Sequence, residues 1–455
     1  MNEKRKRSQV DTSSHGKDVH APEGNRLYSL VLLMMIYCCH SIDRSVLAIL
    51  IEPIKHEFHA SDTAMGFIPL AYSGAFIVAM LPVGLLIDRM NRVRLLAALV
   101  GAWSLLTAMA GFAQNITLLI LARMSIGAAE AGGQPTSLSL ISDIFPQDKR
   151  SSALGVFYLA TGLGGVVTFW IGGMVAAAYG WRATFFVAGV PGALLVVLTL
   201  ATLREPRRGK FDAPAGLRRP ASPPKLSEVM RAIFSAPAIL HAMLGVLFGT
   251  AVLGGATHWM PAFLMRTHAL DLKSAGAIVA VGNGLFLALG TIVAGVLTDR
   301  FAKGRAHRLA IAAAAIMIAG AVSGLIFTLT GSLKIAVALY FVFGLLGTAW
   351  LPAGYSFLLG QAAAPMRGSV MAVCQMMAAL GSGFGPFLIG KVSDQSGGAI
   401  GPAIACGVSF GFWSALHWFF AARAARQGFG VSPTDAGPAA QRGRFIRGLK
   451  APGRT

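Results

Sequence analysis

The sequence predicts an all-α membrane protein in which twelve transmembrane helices form two pseudo-symmetric six-helix bundles. The first observation is composition: 55% of the 455 residues are hydrophobic, only 13% are charged, and the mean hydropathy is +0.63. The second is a series of apolar runs, each close to the ~20 residues that cross a bilayer. The third is a repeat between the two parts of the chain. This composition leaves too little polar surface for a soluble domain.

The apolar runs fall into two sets of six, separated by a polar stretch. The first set lies at about 27–52, 66–87, 94–113, 116–143, 151–178 and 182–202. The second set lies at about 236–265, 274–298, 307–329, 335–360, 368–392 and 401–424. We therefore predict a polar and basic tail at 1–26, an N-terminal bundle at 27–202, a basic linker at 203–235, a C-terminal bundle at 236–424 and a basic tail at 425–455.

The distribution of Lys and Arg predicts the orientation. Of the 39 Lys and Arg residues, 31 lie in the two tails, the linker and the loops after even-numbered helices, and 6 lie on the opposite side. The remaining two, Arg44 and Arg123, are inside apolar runs. This asymmetry indicates that both termini are cytoplasmic. The formal charge of +20 thus reflects topology in a cell membrane, which we take to be a bacterial inner membrane, and not binding to nucleic acid.

Other classes of site are not indicated by the sequence. Cys38, Cys39, Cys374 and Cys406 all lie in apolar segments, which predicts buried thiols and no disulfide framework. No residues have metal-ligand spacing, and we expect no cofactor. The pattern at 407–411 matches a hydrolase nucleophile elbow, but it lies inside an apolar helix and not between a strand and a helix. We therefore expect no catalytic residues and no enzyme.

The two bundles repeat each other. The loop after helix 2 reads GLLIDRMNRVR from Gly84, and the loop after helix 8 reads GVLTDRFAKGR from Gly295, an offset of 211 residues. A second pair of segments, after helices 4 and 10, aligns Arg150 with Arg367 at an offset of 217. Two matches at nearly one offset indicate a duplicated six-helix unit, as in two-halved secondary transporters.

The repeated loop resembles a motif of the major facilitator superfamily. Gly84, Asp88, Arg89 and Arg92 fit its G-x-x-x-D-R-x-x-R pattern, although Val93 replaces a basic residue and Asn91 a glycine. The second-half copy is looser and retains Gly295, Asp299 and Arg300. The chain resembles the spinster-like branch of this superfamily between residue 27 and about residue 424. The segments that carry this resemblance are SIDRSVLAILIEPIKHEF, GAAEAGGQPTSLSLISDIFPQDKR, GWRATFFVAGVPG, THWMPAFLMRTHAL and FGPFLIGKVSD.

The resemblance implies an alternating-access carrier with a central cavity between two bundles. In the superfamily the loop motif clasps neighbouring helices and holds the outward-facing state. Spinster-like carriers are associated with movement of sphingosine phosphate and lysophospholipids, often with proton coupling. Anion–cation symporters share the Asp-Arg of helix 1 and the Glu of helix 4, so they are the alternative. His40 stands where the spinster-like branch often has asparagine.

Four charges lie deep in apolar segments: Asp43 and Arg44 in helix 1, and Arg123 and Glu130 in helix 4. Insertion scales give such a set a cost of about 12 kcal/mol before pairing. A buried ion pair is seldom better for stability than apolar residues of similar volume. We therefore favour a functional charge cluster in a water-filled cavity over a pair that only pins two helices.

Helix geometry predicts how these charges lie relative to one another. Asp43 is about 24 Å from the start of helix 1, and Arg123 is about 10 Å from the outer end of helix 4, so the two fall at similar depth. Glu130 is two turns deeper on the face of Arg123. We predict an Asp43–Arg123 pair above Glu130 that acts as a proton relay. His40 shares the face of Asp43, either in the relay or as a hydrogen-bonded core histidine.

Further polar groups on apolar helices are candidates for the substrate cavity. Trp259 and His258 lie at the end of helix 7, although a Trp near an interface is commonly only an anchor. Each of the others could instead satisfy neighbouring backbone. The candidates are Gln134, Tyr158, His258, Trp259, Asn283, Tyr355 and Gln375.

We therefore predict a secondary active transporter that uses alternating access and is coupled to protons, for an amphipathic or anionic organic solute that includes lysolipid-like molecules. Its expected partners are this small-molecule or lipid-like substrate, protons and the lipid bilayer, and we expect a monomer. The alternative is an anion–cation symporter that imports small organic carboxylates. A membrane-embedded enzyme and a non-transporting sensor are disfavoured, since neither a catalytic constellation nor a signalling domain is present in the sequence.

Overall fold

The computed structural model describes residues 23–209, 211, 226–302, 304–363 and 366–427, and within these ranges the regular structure is helical. Both predicted tails lie largely outside the described residues, and so do residues 210 and 212–225 of the predicted linker. The inner side of the molecule is defined as the side on which α1 and α7 begin, and it is the side predicted to be cytoplasmic.

The first bundle contains six crossings. Four of them are α1 (Glu23–Ile49), α2 (Asp62–Arg89), α3 (Arg92–Ala110) and α4 (Ile116–Ile144). A continuous helical stretch, Gln147–Thr202, supplies the last two. It breaks at Gly180, whose φ of 83° and ψ of 167° are not helical, and glycine is the residue that adopts such a conformation without strain. We therefore define α5 as 147–179 and α6 as 181–202.

The second bundle repeats this arrangement. Its crossings are α7 (Pro237–His268), α8 (Leu272–Ala302), α9 (Ala306–Leu329), α10 (Leu333–Gln361), α11 (Arg367–Gln395) and α12 (Ile400–Arg426). Eleven stretches of the described chain are long and apolar enough to span a bilayer, and the break at Gly180 makes two crossings of one of them. The prediction of a twelve-helix membrane protein with two bundles is confirmed.

Several helices deviate from regular α geometry. α4 and α10 each consist of two parts, Ile116–Glu130 with Gly133–Ile144 and Leu333–Gly347 with Leu351–Gln361. α5 and α8 each contain a π turn, at Val167–Ile171 and Val281–Phe286. Such turns commonly mark functional positions. Two short helices, Ile51–Phe58 and Leu226–Ser235, precede α2 and α7.

The first turns of α2 and α3 are stabilised by capping side chains. Ser61 accepts a hydrogen bond from the Ala64 N–H at the start of α2, and Asn91 accepts one from the Arg94 N–H at the start of α3. These bonds satisfy backbone donors that the first turn leaves free. The cap explains why asparagine serves at position 91, where the loop motif usually has glycine.

Small residues allow close packing within each bundle. Gly192 of α6 lies against Ser104 of α3, and Gly245 of α7 lies against the indole of Trp418 of α12. Without a hydrophobic force between helices in lipid, such close approach supplies the packing energy. Large apolar side chains on the outside of the bundles are correspondingly exposed, as with Val190 and Leu194 of α6.

Two seams join the bundles, one between α2 and α11 and the other between α5 and α8. On the outer side the seams are in contact, with α1 and the short helix Ile51–Phe58 also touching α7. Along the inner half of α2 large apolar side chains are exposed, including Val78 at 75% and Leu81 at 60%. The bundles are therefore closed together on the outer side and separate along α2 toward the inner side.

Candidate transport site

A buried carboxylate lies at the centre of the N-terminal bundle. Glu130, at the end of the first part of α4, is only 1% exposed. Its Oε2 accepts a hydrogen bond from the Tyr72 hydroxyl of α2 and lies 3.2 Å from Nδ1 of His40 of α1. Its Oε1 has no hydrogen-bond partner in the part of the chain that the structure describes. Three helices thus converge on one carboxylate that retains a free acceptor.

Arg123 and Asp43 meet beside this carboxylate. Both are almost fully buried, and Nη2 of Arg123 donates to the main-chain carbonyl of Asp43 at 2.8 Å. The guanidinium also lies over the Tyr72 ring, 5.5 Å from its centroid. Among the described residues, Arg123 Nε and Nη1 and Asp43 Oδ1 have no hydrogen-bond partner. The structure therefore joins Arg123 to the Asp43 main chain, whereas the sequence predicted an ion pair between side chains.

Arg44 occupies a different position from its neighbour Asp43. Successive residues of a helix point about 100° apart, so Asp43 is buried in its own bundle while Arg44 is exposed between the bundles. Nη2 of Arg44 donates to the Ser382 hydroxyl of α11 at 3.1 Å. Arg44 is thus a cation at the interface of the two halves.

Tyrosine and glutamine side chains from both bundles lie near Arg44. Nε2 of Gln134 donates to the Tyr158 hydroxyl at 3.1 Å, and the Tyr355 hydroxyl donates to Oε1 of Gln375 at 2.9 Å. The ring of Tyr37 of α1 lies 5.9 Å from that of Tyr158. Sequence reasoning missed Tyr37, although its position one helical turn before His40 was a usable signal.

The other predicted cavity residues differ in accessibility. Asn283, in the π turn of α8, and His258 of α7 are 8% and 7% exposed, and Nδ2 of Asn283 and Nε2 of His258 have no hydrogen-bond partner within the described ranges. Trp259 is fully buried, and its Nε1 donates to the Pro386 carbonyl of α11 at 2.9 Å. Trp259 therefore packs α7 against α11 and presents no surface to a solute in this conformation.

The loop motif separates into exposed and buried residues. Asp88 and Arg89 are exposed at the inner end of α2, while Arg92 is 1% exposed. Arg92 pairs with Asp143 of α4 at 2.6 Å and with Glu205 after α6 at 2.7 Å. It therefore fixes the start of the linker to the N-terminal bundle.

The remaining motif residues make fewer contacts. A Cβ added at Gly84 or Gly295 would meet no atom within 4 Å, and Arg300 is exposed. The side chain of Asp299 lies outside the described residues. The motif positions on the inner side thus stand away from the opposite bundle in this conformation.

A charged network closes the outer side between α2, α7 and α11. Nη1 and Nη2 of Arg266 donate to the buried carboxylate of Asp62 at 2.7 and 2.9 Å. Lys55 and Ser393 also donate to Asp62, at 2.5 and 2.6 Å. Asp394 accepts from the backbone N–H of Asp62 and of Thr63 at 3.0 and 2.8 Å. Sequence reasoning missed this network because its members are separated by as many as 332 residues; the only local signal was charge at helix ends.

An apolar groove of about 620 Å³ runs along α2 on the side where the bundles separate. Gly383, the neighbour of Ser382, lies against Leu70, so the outer end of the groove is close to the residue that binds Arg44. The groove is lined by Phe67, Leu70, Ala71, Gly74, Ala75, Val78, Ala79, Pro82, Met124 and Ala128.

This arrangement combines three chemical capacities. Glu130 offers a buried carboxylate with one oxygen unpartnered among the described residues, beside the Tyr72 hydroxyl and the His40 ring. Arg44 offers a cation to an anionic group between the bundles. The groove offers an apolar surface that begins near that cation and continues toward the inner side.

Comparison with known proteins agrees with this architecture. The model of the Major Facilitator Superfamily matches residues 33–386. The chain is 26% identical to an MFS-type efflux pump of Mycolicibacterium smegmatis, over 83% of this chain and 86% of the pump. It is 27% identical to protein spinster homolog 1 of Xenopus laevis, over 84% of this chain and 76% of that protein.

A solved structure shows the same fold. It is the crystal structure of a bacterial homolog to the human lysosomal transporter Spinster, in an inward-facing and unoccupied conformation. The TM-score is 0.79 at 23% identity, and the alignment covers 90% of this chain and all of that chain.

Proposed function

This chain belongs to the Major Facilitator Superfamily and resembles its spinster-like branch, and from this premise we propose that it carries an amphipathic anion, coupled to protons. Its membership makes it a multi-pass secondary transporter and not an enzyme. We further propose that it lies in the cell membrane of a bacterium, with both termini in the cytoplasm.

The observation that carries the proposal is the continuity between Arg44 and the apolar groove. A solute with an anionic head would place that head at Arg44, in exchange for the hydroxyl of Ser382. Its tail would lie along α2 in the groove of about 620 Å³, where burial of apolar surface stabilises it by about 25 cal/mol per Å². A small carboxylate would use Arg44 but would leave the groove unfilled.

Proton coupling rests on the cluster around Glu130. The carboxylate lies against Tyr72 and His40, with Arg123 over the same tyrosine ring. In general, burial favours a neutral carboxyl group, whereas an approaching guanidinium favours an ionised one. Movement of α1 against α4 would switch between these surroundings, so that one proton is bound and released in each cycle.

The alternative, import of small organic carboxylates, uses the same charges. It would require a closed polar cavity, and the glutamines and tyrosines between the bundles are consistent with hydrogen bonds to a small solute. The open apolar groove favours the lipid-like solute over this alternative.

Purified protein in liposomes loaded with a pH-sensitive dye tests both hypotheses. Addition of an anionic lysophospholipid should move protons, and Glu130→Gln should abolish that movement while leaving lysophospholipid binding intact. Glu57→Gln, which removes an exposed carboxylate outside the membrane-spanning segments, is the matched control and should behave as the native protein does.

Three outcomes would change the proposal. Proton movement that depends only on small carboxylates would favour the importer. Lysophospholipid transport without proton movement would remove the coupling hypothesis while retaining the solute. Equal proton movement in native and Glu130→Gln vesicles would show that Glu130 does not carry the proton.

A further inference from the structure

The short helix Leu226–Ser235, which precedes α7, has an apolar arc wider than its contact with the protein. At 100° per residue, five apolar side chains cover about 140° of its circumference. Ser227, Glu228, Arg231 and Ser235 occupy the opposite arc. The five large apolar residues are Leu226, Val229, Met230, Ile233 and Phe234.

One edge of this apolar arc packs against the C-terminal bundle. Val229 and Ile233 are 1% and 2% exposed, and the helix contacts α7 and α11. These two residues are separated by four positions, so they lie on one line along the helix. They fix the rotation of the helix about its own axis.

The other edge of the apolar arc is exposed. Leu226 is 61% and Phe234 is 64% exposed, and Met230 between them is half-buried. These three residues also lie at intervals of four, next to the buried line. The helix therefore has one edge against the bundle, exposed apolar side chains next to that edge and polar residues on the opposite side. This arrangement is typical of a helix that lies in a membrane interface.

The position of the helix in the chain agrees with this surface. Ser235 lies two residues before Pro237, the first residue of α7, so the helix lies at the inner boundary of the membrane-spanning region. Arg231 is exposed on the polar arc. The linker 203–235 carries eight Lys and Arg against three Asp and Glu, which complements an anionic lipid surface.

We propose that Leu226–Ser235 is an interfacial helix that binds the inner leaflet through anionic phospholipid. Leu226, Met230 and Phe234 enter the boundary between head groups and acyl chains, and Arg231 contacts lipid phosphates. Because the helix is attached to α7 and α11, the inner leaflet becomes a fixed support for the C-terminal bundle while the other bundle moves.

Spin-label depth measurements on the full chain in vesicles test this proposal. The label is placed at Phe234→Cys, with Ser235→Cys on the polar arc as the matched control, in a Cys406→Ser background because Cys406 is the exposed native thiol. Vesicles contain either phosphatidylcholine alone or phosphatidylcholine with about one part in three of phosphatidylglycerol, which supplies the anionic surface.

We expect the label at 234 to be accessible to oxygen and protected from a water-soluble nickel complex, about 5–10 Å below the head groups. The label at 235 should show the opposite pattern. Phosphatidylglycerol should increase the immersion of position 234, and Arg231→Ser should abolish that increase.

Three results would overturn the proposal or part of it. Equal access of the nickel complex to both labels would place the helix in water. An immobilised label at 234, shielded from both oxygen and nickel, would show that protein covers this surface. Equal immersion in both lipids would refute the role of anionic phospholipid and of Arg231.

Discussion

Two seams join the halves of this carrier, and the internal repeat allows them to be compared contact by contact. In the α2–α11 seam, a Cβ added at Gly66 would overlap the carbonyl oxygen of Pro386. In the α5–α8 seam, a Cβ added at Gly276 would overlap the carbonyl oxygen of Phe169. Phe169 is the repeat equivalent of Pro386 at the offset of 217, and Gly276 is within one position of the equivalent of Gly66 at the offset of 211.

The forces that close the two seams differ. The outer end of the α2–α11 seam is held by the Asp62 network, and Asp394 caps the first turn of α2 from the opposite bundle. The repeat equivalents of Ser393 and Asp394 in α5 are Ala176 and Ala177. The α5–α8 seam is closed there by small residues, with Gly173 against the carbonyl oxygen of Leu272.

Each of the four helices that form the seams contains a proline or a π turn, and these irregularities occupy equivalent positions in the internal repeat. α2 and α11 contain Pro69 and Pro386, whereas α5 and α8 contain π turns at Val167–Ile171 and Val281–Phe286. The equivalent of Pro386 falls inside the first π turn, and the equivalent of Pro69 directly precedes the second. Both devices interrupt the regular backbone ladder and permit bending.

A common packing thus supports two roles. Close approach of the two backbones needs only small residues, and it is the same in both seams. Among the described residues, the charged network holds the outer end of the α2–α11 seam and not that of the α5–α8 seam. We infer that the α2–α11 seam is a latch that opens, and that the α5–α8 seam is a hinge that remains in contact.

The largest expected effect comes from Asp62→Ala, which breaks the latch. It removes the buried carboxylate that Arg266 and Lys55 share, while Arg266 retains its pair with Glu52. Removing one member of a buried pair costs about 3 kcal/mol. The outer-closed state should lose about a hundredfold in population relative to the outer-open state. Spin labels at Gln114→Cys and Ser332→Cys, in outer loops of the two halves, measure the distance. An unchanged distribution would show that the network does not hold the latch.

Gly66→Ala and Gly276→Ala should destabilise the protein by similar amounts, about 1–3 kcal/mol each, because both force two backbones apart. The measurement is the midpoint of thermal unfolding of each variant in detergent, with Gly84→Ala as a control at a position where a Cβ meets nothing within 4 Å. A large effect of only one of the two seam glycines would contradict the equivalence of the seams.

Asp394→Asn should have a smaller effect on the same latch. The N–H groups of Asp62 and Thr63 donate to separate oxygens of Asp394, so asparagine keeps one of these hydrogen bonds and loses the other, about 0.5–1.5 kcal/mol. It also loses the favourable charge at a helix N-terminus, about 0.3–1 kcal/mol, and the population of the outer-open state should rise about tenfold in the spin-label distance measurement. A change as large as that of Asp62→Ala would mean that Asp394 does more than cap α2.

Arg182→Ala is expected to have the smallest effect. Arg182 pairs with Glu57 at 2.7 Å within one bundle, and their side chains are 39% and 42% exposed, so the pair contributes about 0–1 kcal/mol. Hydrogen bonds from Trp181 and from Arg182 lower the pKa of Glu57, against the opposing effect of burial. The contribution of the ionised Glu57 to stability is therefore fully present above the ordinary pKa of a glutamate, and it is lost as the pH falls through the lowered pKa of Glu57.

The thermal midpoint of Arg182→Ala should lie close to that of the native protein at neutral pH. The difference should become smaller in acid without vanishing, because the hydrogen bond of Arg182 to the Ala113 carbonyl and its contact with the Trp181 ring do not depend on the charge of Glu57. The spin-label distance across the outer loops should not change at either pH. A shift of the latch in this variant would show that the Glu57 pair acts across the seam.

The prediction of twelve crossings and two bundles needed no knowledge of the folded chain. Lipid acts on each segment separately, because every spanning stretch must be apolar and must satisfy its own backbone. The charges of Asp43, Arg44, Arg123 and Glu130 were identified for the same reason, since each is costly in an apolar run. The repeat was likewise readable from the loop motifs alone.

The partners of those charges required the tertiary structure. Asp43 and Arg44 are adjacent in sequence, but one is buried in its bundle and the other faces Ser382 across the interface. Arg123 was expected to pair with the Asp43 side chain and instead donates to its main chain. Helix rotation decides such contacts, and a rotation of one residue changes the direction of a side chain by about 100°.

The sequence by itself thus determined how often the chain crosses the membrane, how its halves repeat and which charged residues lie within it, because these depend on local apolarity and on motif spacing. Only the tertiary structure decided that the outer side is closed by Asp62, Arg266 and Asp394, that Arg92 holds the linker, and that an apolar groove begins near Arg44. These features depend on packing between segments far apart in the chain, and the order of residues alone does not specify that packing.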